Sequence, residues 1–493
     1  SVAQLAQHEG DGEDAARAAR AVLGELQGNV SLDGLGRLGL DLRGHWAFYG
    51  VGLVPVMRWQ LRDPDAFRAF VARVEQRYGE KLPRGRAGKL EYWRFGGAGG
   101  ELSALLAVDG KQLVATIAPN AASEPLVRQL LGVDLPDDSF ADGDAIAALN
   151  SEYGFVPFGS GYLDVVRIAT LVLDEKSGIE KEFLAALGLE GKARADPVCR
   201  TEMLAIAGKA PRMVTGYTRF DAAALDQVAV LELEPPLAAQ LKSLATPVPG
   251  LGPTGNALVD FGMSLKLDKL KQAVDAHAGA VAAAPWQCSG LAQLNQAFAD
   301  VQAQLSNPVS FAIAPVLQGF RVALSELELV EGGTPKYSGV LVVASPNPQS
   351  LVASARTFVP QLAGLKVEPG AAPVARPLDA APPGTPPMHA AASAAALAVS
   401  FGAGEDARLA ANLAAPAGDP APLLAFGYDG SFMGRLLEFG ETADDDMTPE
   451  ARAEMEETME LAKQVYGSVF GRLDGSLVPT DRGLELRQSM RFK

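Results

Sequence analysis

The stretch that decides the fold opens with Trp46-Ala-Phe-Tyr-Gly50 and runs through Leu61. It continues with Asp63-Pro-Asp-Ala-Phe67 into Val71-Ala-Arg-Val-Glu75, then Leu90-Glu-Tyr-Trp-Arg-Phe95. It ends with the pair Leu102–Val108 and Lys111–Ile117, joined at Asp109-Gly110. Asp63 can accept the first free N–H groups of a helix, and Pro64 suits the first helical position, where its missing N–H would be unpaired anyway. Phe67, Phe70, Val71, Val74 and Tyr78 recur at three- and four-residue intervals, which places them on one helical face, and Gly79 marks the stop. Asp109-Gly110 accepts the positive φ of a tight hairpin turn. The reading is a long strand, an amphipathic helix and a closing antiparallel sheet.

Working outward, the same rhythm returns. Val340–Ala344 reads as a strand leading through Ser345-Pro-Asn-Pro into a helix over 350–362. Ala257–Leu267 reads as a strand, with Asp268 as cap and Leu270, Val274, His277 and Val281 as a helical stripe. Leu423–Tyr428, Asp429-Gly430 and Phe432–Phe439 make a shorter copy. The pattern predicts an α+β protein of several domains, with antiparallel sheets covered by amphipathic helices and a repeated strand–helix–hairpin unit; the rhythm common to any α+β chain is the alternative to a true repeat. Residues 1–45 read as an N-terminal helical segment, 46–245 as a first α+β domain, 246–255 as a Pro/Gly linker and 256–493 as a second domain. The run 371–387, with six prolines, reads as a surface loop. Gly161–Leu173, Ile179–Leu187 and Val198–Ala207 read as helices, Arg212–Phe220 and Gln227–Glu234 as strands. A helix over 449–467 precedes a closing hairpin of Val469–Val478 and Leu484–Phe492.

Composition narrows the function. The chain has 493 residues and a net charge of −16 with no basic cluster, which argues against nucleic acid and anionic membranes as partners. No apolar run reaches the ~18 residues of a membrane helix. The first residues, Ser1-Val-Ala-Gln, lack Met and predict a processed product. Two cysteines, Cys199 and Cys288, fit either two buried thiols or one disulfide in an oxidising compartment.

Motifs for catalysis fail on context. Gly250-Leu-Gly-Pro-Thr-Gly255 matches G-x-G-x-x-G, yet prolines surround it and no helix start follows, so no nucleotide site is expected. Ala398-Val-Ser-Phe-Gly402 falls one residue short of a nucleophile elbow, and no histidine follows it in the chain. The four histidines, His8, His45, His277 and His389, lack ligand spacing. Asp137-Asp138 and Asp444-Asp445-Asp446 lack the spacing of a calcium loop, and Asn29-Val30-Ser31 is a short sequon. No cofactor and no metal are expected. Arg58, Trp59, Tyr92, Trp93 and Arg94 are the binding candidates, because Trp and Arg dominate binding hot spots. They form one patch if their strands are neighbours; a half-buried sheet face explains them otherwise.

With segments such as Trp46–Tyr78 and Val340–Leu362, Ala/Gly/Pro-rich loops, scarce cysteine and a closing hairpin, the chain resembles bacterial periplasmic proteins and lipoproteins of unknown function. The resemblance implies a place in the cell envelope, periplasmic or anchored to the outer membrane. It supplies no catalytic residues, and the lipobox cysteine of a lipoprotein is not in the chain. The expected role is non-enzymatic: a carrier, chaperone or scaffold that holds a lipid, a hydrophobic peptide or another envelope protein. The alternatives are a hydrolase working through two carboxylates and a structural subunit of a larger envelope assembly.

Overall fold

The computed structural model describes residues 21–25, 32–95, 101–135, 143–174, 178–188, 197–252, 257–306, 316–328, 336–358, 365–376, 388–432 and 469–493. The sequon, most of the N-terminal helix, both acidic runs and the helix expected over 449–467 lie outside these residues. The chain is α+β and forms two compact units. One comprises Ser1–Gly143 with Val166–Leu204, the other Asp144–Val165 with Ala205–Lys493. Among the described residues no helix is long and apolar enough to cross a membrane.

In the first unit, β1 (Trp46–Val51) and β2 (Val54–Gln60) form a hairpin, followed by the helix Pro64–Tyr78. A meander comes next: β3 (Arg84–Ala87), β4 (Leu90–Phe95), β5 (Leu102–Asp109) and β6 (Gln112–Pro119). β6 returns beside β2, so the six strands lie antiparallel in the order β1-β2-β6-β5-β4-β3. The helix forms as its sequence predicts. The Asp63 carboxylate accepts the N–H groups of Asp65 and Ala66, and Gly79 closes the helix at φ 89°. Phe67, Val71 and Val74 are buried, the first two against Leu61, Trp93, Val108 and Leu113 on one face of the sheet. On the other face Val54, Val56, Leu105 and Val114 pack beneath Leu126, Val127 and Leu130 of the helix Glu124–Leu130 and Phe183 of the helix Gly178–Ala186. Each fully buried Val or Leu contributes about 1.5–3 kcal/mol. Ser123 caps the helix Glu124–Leu130, and its N–H and hydroxyl both donate to Glu182, at 2.8 and 2.7 Å.

The second unit is built on β7 (Gly161–Asp164), β8 (Arg212–Phe220), β9 (Ala224–Glu232), β10 (Val259–Ser264), β11 (Gly319–Glu328) and β12 (Lys336–Ala344). It continues with β13 (Val374–Arg376), β14 (Met388–Ala392), β15 (Ala396–Phe401), β16 (Leu424–Asp429), β17 (Phe470–Thr480) and β18 (Gly483–Phe492). These form one antiparallel sheet of twelve strands, ordered β13-β14-β15-β12-β11-β10-β16-β17-β18-β9-β8-β7. Gly161–Leu173 is not one helix: its first four residues pair with β8, and the helix starts at Val165, whose N–H donates to Pro211 O. Residues 246–252 lie inside this unit. Val248 and Leu251 pack with Ala344 and Ala425, and the Gly250 N–H donates to Ala415 O. Within the Pro-rich run, Val374–Arg376 pairs with β14 as a sheet edge, between Pro373 and Pro377, where an edge strand tolerates proline. After the strand Leu424–Asp429, a helical turn starts at Gly430. Asp268 sits inside the first turn of the helix Leu267–Ala283, whose cap position is Lys266.

One topology occurs three times. In the first unit a hairpin, a helix and a meander are joined so that the last meander strand pairs with the second hairpin strand. In the second unit β8-β9, the helix Pro235–Leu244 and the strands β10, β16, β17 and β18 repeat this, with β18 beside β9. Inserted between β10 and β16, the hairpin β11-β12, the helix Pro348–Phe358 and β13-β14-β15 repeat it again, with β15 beside β12.

Candidate functional site

The five binding candidates do not form one patch. β2 and β4 are separated by β6 and β5, and neighbouring residues of a strand point to opposite faces. Trp59 and Trp93 pack in the core beneath the helix Pro64–Tyr78, while Tyr92 packs in the core of the other face. The Trp59 indole donates to Asp41 O at 2.9 Å. Arg58 donates to the Tyr49 hydroxyl, Gln112 Oε1 and Leu131 O, and Arg94 donates to Asn120 O. Tyr92 lies over Gly85, its partner across β3 and β4, where a Cβ would strike the ring. These side chains hold the first unit together from both faces. The aromatic and arginine pattern that singled them out is a packing signal here.

The second unit has two unlike faces. On one, the side chains are small and covered: Ala323, Val340, Val342, Ala396 and Ala398 are buried, with Leu409 among them, and Val214 and Val230 pack under Leu149 and Phe155. On the other face the register lines large apolar groups into rows. One row runs Phe320, Met263, Leu424, Leu477, Leu486; the next runs Val322, Phe261, Phe426, Gly475; a third runs Leu324, Val259, Tyr428, Leu473, Met490, Leu225, Phe220. Leu231 and Met213 extend this face toward β7. Leu351 and Val352 cover its β14–β15 end. The unit's other core clusters of described residues form on the opposite face. Phe261 is 41% exposed, Met213 44% and Phe220 53%. These three are the most exposed members of the rows. The alternation that builds it is legible in Val259-Asp-Phe-Gly-Met and Leu424-Ala-Phe-Gly-Tyr, large residues alternating with small or acidic ones.

The small face also holds a polar cavity of about 200 Å³, lined in part by Arg321, Ser325, Glu405, Arg408 and Asn412. Arg321 on β11 and Asp260 on β10 are diagonal neighbours on the same face, each side chain only 6% exposed. Arg321 Nε and Nη2 donate to the Asp260 carboxylate at 2.9 and 2.6 Å, and Nη1 donates to Asn412 Oδ1 at 2.7 Å. The Ser325 hydroxyl donates to Glu405 Oε1 at 2.6 Å, and Arg408 stands 3.4 Å from the same carboxylate. Gly250, at φ 77°, leaves room for the guanidinium.

A second polar group lies at the β8–β9 end. Arg212 donates to both oxygens of Glu232, at 2.8 and 2.6 Å, and the Tyr153 hydroxyl donates to Glu232 Oε1. Burial raises the Glu232 carboxyl, but the Arg212 and Tyr153 hydrogen bonds outweigh it and hold the group below its ordinary value. Burial, then the carboxylate it donates to, pushes the Tyr153 phenol well above the usual tyrosine range. Arg482 stacks over the Tyr153 ring at 4.6 Å.

Ser400 is fully buried near the end of β15, opposite His389 on β14, so it is not an exposed elbow serine. Cys199 and Cys288 are both disulfide-bonded, and as the chain's two cysteines they are each other's partner. Among the described residues no cluster of His, Cys, Asp and Glu could hold a metal ion. In comparisons with protein-family models, curated proteins and solved structures, the chain matches none.

Proposed function

We propose that this chain is a non-enzymatic binding protein of the bacterial envelope, and that it holds an apolar segment of a partner protein on the open face of the twelve-stranded sheet. The observation that carries the reading is the set of registered apolar rows running from β11 to β8 with Phe261 and Met213 at the surface. A broad, open face suits a peptide or protein better than a single lipid, which asks for an enclosed apolar pocket. The disulfide supports an oxidising compartment such as the periplasm. The hydrolase alternative draws little support from the polar cavity. Of the buried carboxylates Asp260 and Glu405, only Glu405 lines it, and that group already accepts from Ser325 beside Arg408.

The test uses an apolar fluorescent dye and the variant Phe261→Glu. The native chain should enhance the dye's emission, and Phe261→Glu should reduce the enhancement while leaving the thermal midpoint in place, because the replaced side chain is exposed. A native chain that leaves the dye dark, or a variant that binds it as well as the native chain, sinks the reading. Native mass spectrometry on protein from its own host then identifies the retained partner.

A further inference from the structure

Sheet edges are bonding templates, and among the described residues all of the edge strands but one are blunted. β13 has three residues, and β7 and β3 have four each. β3 also carries the exposed charges of Arg84 and Arg86. β1 has six residues, Trp46-Ala-Phe-Tyr-Gly-Val51, with no charge, no proline and no bulge. Trp46 is 60% exposed and Phe48 68% exposed. Natural edges carry lysine, proline or a twist to prevent pairing; β1 carries none of these.

The repeated topology shows what such a strand accepts. The counterparts of β1 are β8 and β11. β8 pairs along its outer side with β7, and β11 with β10, both antiparallel. In both other copies the position beyond this strand is filled by one more antiparallel strand; at β1 no described strand fills it.

The register names the occupant. The His45 carbonyl accepts from the Gln60 N–H, so odd-numbered residues of β1 bond toward β2. The backbone groups of Trp46, Phe48 and Gly50 therefore point outward, and they meet no partner among the described residues. We infer that β1 pairs with β1 of a second copy of this chain about a two-fold axis through Phe48. In that register Phe48 faces its own copy, Trp46 faces Gly50 of the other chain, and all three outward positions exchange hydrogen bonds. Isologous pairing of this kind requires a self-complementary strand, and Trp46-Ala-Phe-Tyr-Gly50 meets the requirement with its aromatic-over-glycine ends. An aromatic ring lying over its glycine partner across strands already occurs inside the protein, at Tyr92–Gly85 and Phe426–Gly475. This inference concerns the first unit and stands apart from the binding face of the second.

Sedimentation of the full chain over a range of concentrations tests it. The expected result is a concentration-dependent shift from the 51.5 kDa chain toward twice that mass. Phe48→Lys, which sets two ammonium groups on the axis, should keep the chain monomeric with an unchanged melting curve. In the variants Phe48→Cys and Tyr49→Cys, each adding one thiol beside the Cys199–Cys288 disulfide, mild oxidation should link two chains at 48 and much less at 49, because 49 faces 47. A chain that stays monomeric at every concentration overturns the inference. So does a dimer that survives Phe48→Lys, or one that cross-links equally at both positions.

Discussion

Replacing Arg321 with Met should be among the most damaging single changes in the second unit. The guanidinium is almost fully buried and supplies two bonds to Asp260 and one to Asn412. Met fills much of the space but leaves the Asp260 carboxylate buried without a counter-charge, and Asn412 Oδ1 without its donor. Removing one partner of a buried ion pair costs about 3–5 kcal/mol. The unit comprises roughly 300 residues, and at about 2.1 cal/mol/K per residue the loss lowers its thermal midpoint by roughly 5–8 °C. The double variant Arg321→Met with Asp260→Val should recover most of that loss, since apolar replacement of a whole buried pair is often neutral. Urea denaturation of the native chain, both single variants and the double variant closes the cycle. A loss below about 1 kcal/mol for Arg321→Met, or a double variant whose loss is the sum of the singles, would refute the reasoning.

Two further outcomes follow from local chemistry. The Arg219 guanidinium, helped by the N–H groups of Ala223 and Ala224, holds the Asp221 carboxyl in the β8–β9 turn down to about 2. The ordinary unfolded value is about 3.9, so the stabilisation is present above about pH 4 and fades as pH falls toward about 2. Acid titration of stability should show a shallower fall for Asp221→Asn than for the native chain, and identical curves count against the assignment. The Cys199–Cys288 disulfide closes a loop of roughly ninety residues. The unreduced chain should weigh two protons less than the reduced one, and replacing both cysteines with Ser should cost about 4–5 kcal/mol on the chain-entropy account. An intact mass equal to that of the reduced chain contradicts the pairing.

Local elements were legible because their signals are short-range. Asp63, Pro64 and Gly79 define a helix without help from the rest of the chain, and the closing turn before Gly483 and the turn at Gly110 define hairpins, the latter one residue later than read, with Gly110 and Lys111 between the paired Asp109 and Gln112. The strand Arg212–Phe220 forms over the span read from the sequence. What the sequence withheld was non-local. β18 finds β9 across about 250 residues, and β15 finds β12 around an inserted helix. No local pattern states which strands will be neighbours, so Arg58 and Tyr92 looked like one patch while the pairing order drove them apart. Gly161-Tyr-Leu-Asp164 misled for the same reason: its apolar residues fit a helix, and only the partner β8 makes it a strand. The apolar rows were hidden because each strand contributes two or three members. They become a surface only once the register is known.

The contrast between the two faces of the large sheet bears on why that surface exists. A helix approaches a sheet closely where the sheet side chains are small, and Ala398, Ala396 and Ala425 supply that on the covered face. Helices packed on large residues need a wider gap and more filling. Phe261, Phe426, Tyr428 and Met490 are all directed to the other face, away from the helices that pack on the small residues. Gly475 adds to this, since it lets the Phe426 ring lie flat against the strand and fixes its position. A surface held rigid before contact loses little entropy on association. The distribution of bulk thus favours a preformed platform over a core awaiting closure. Small residues line the face that Leu409, Leu149 and Phe155 cover, and large residues line the other, whose β14–β15 end alone is covered among the core clusters of described residues.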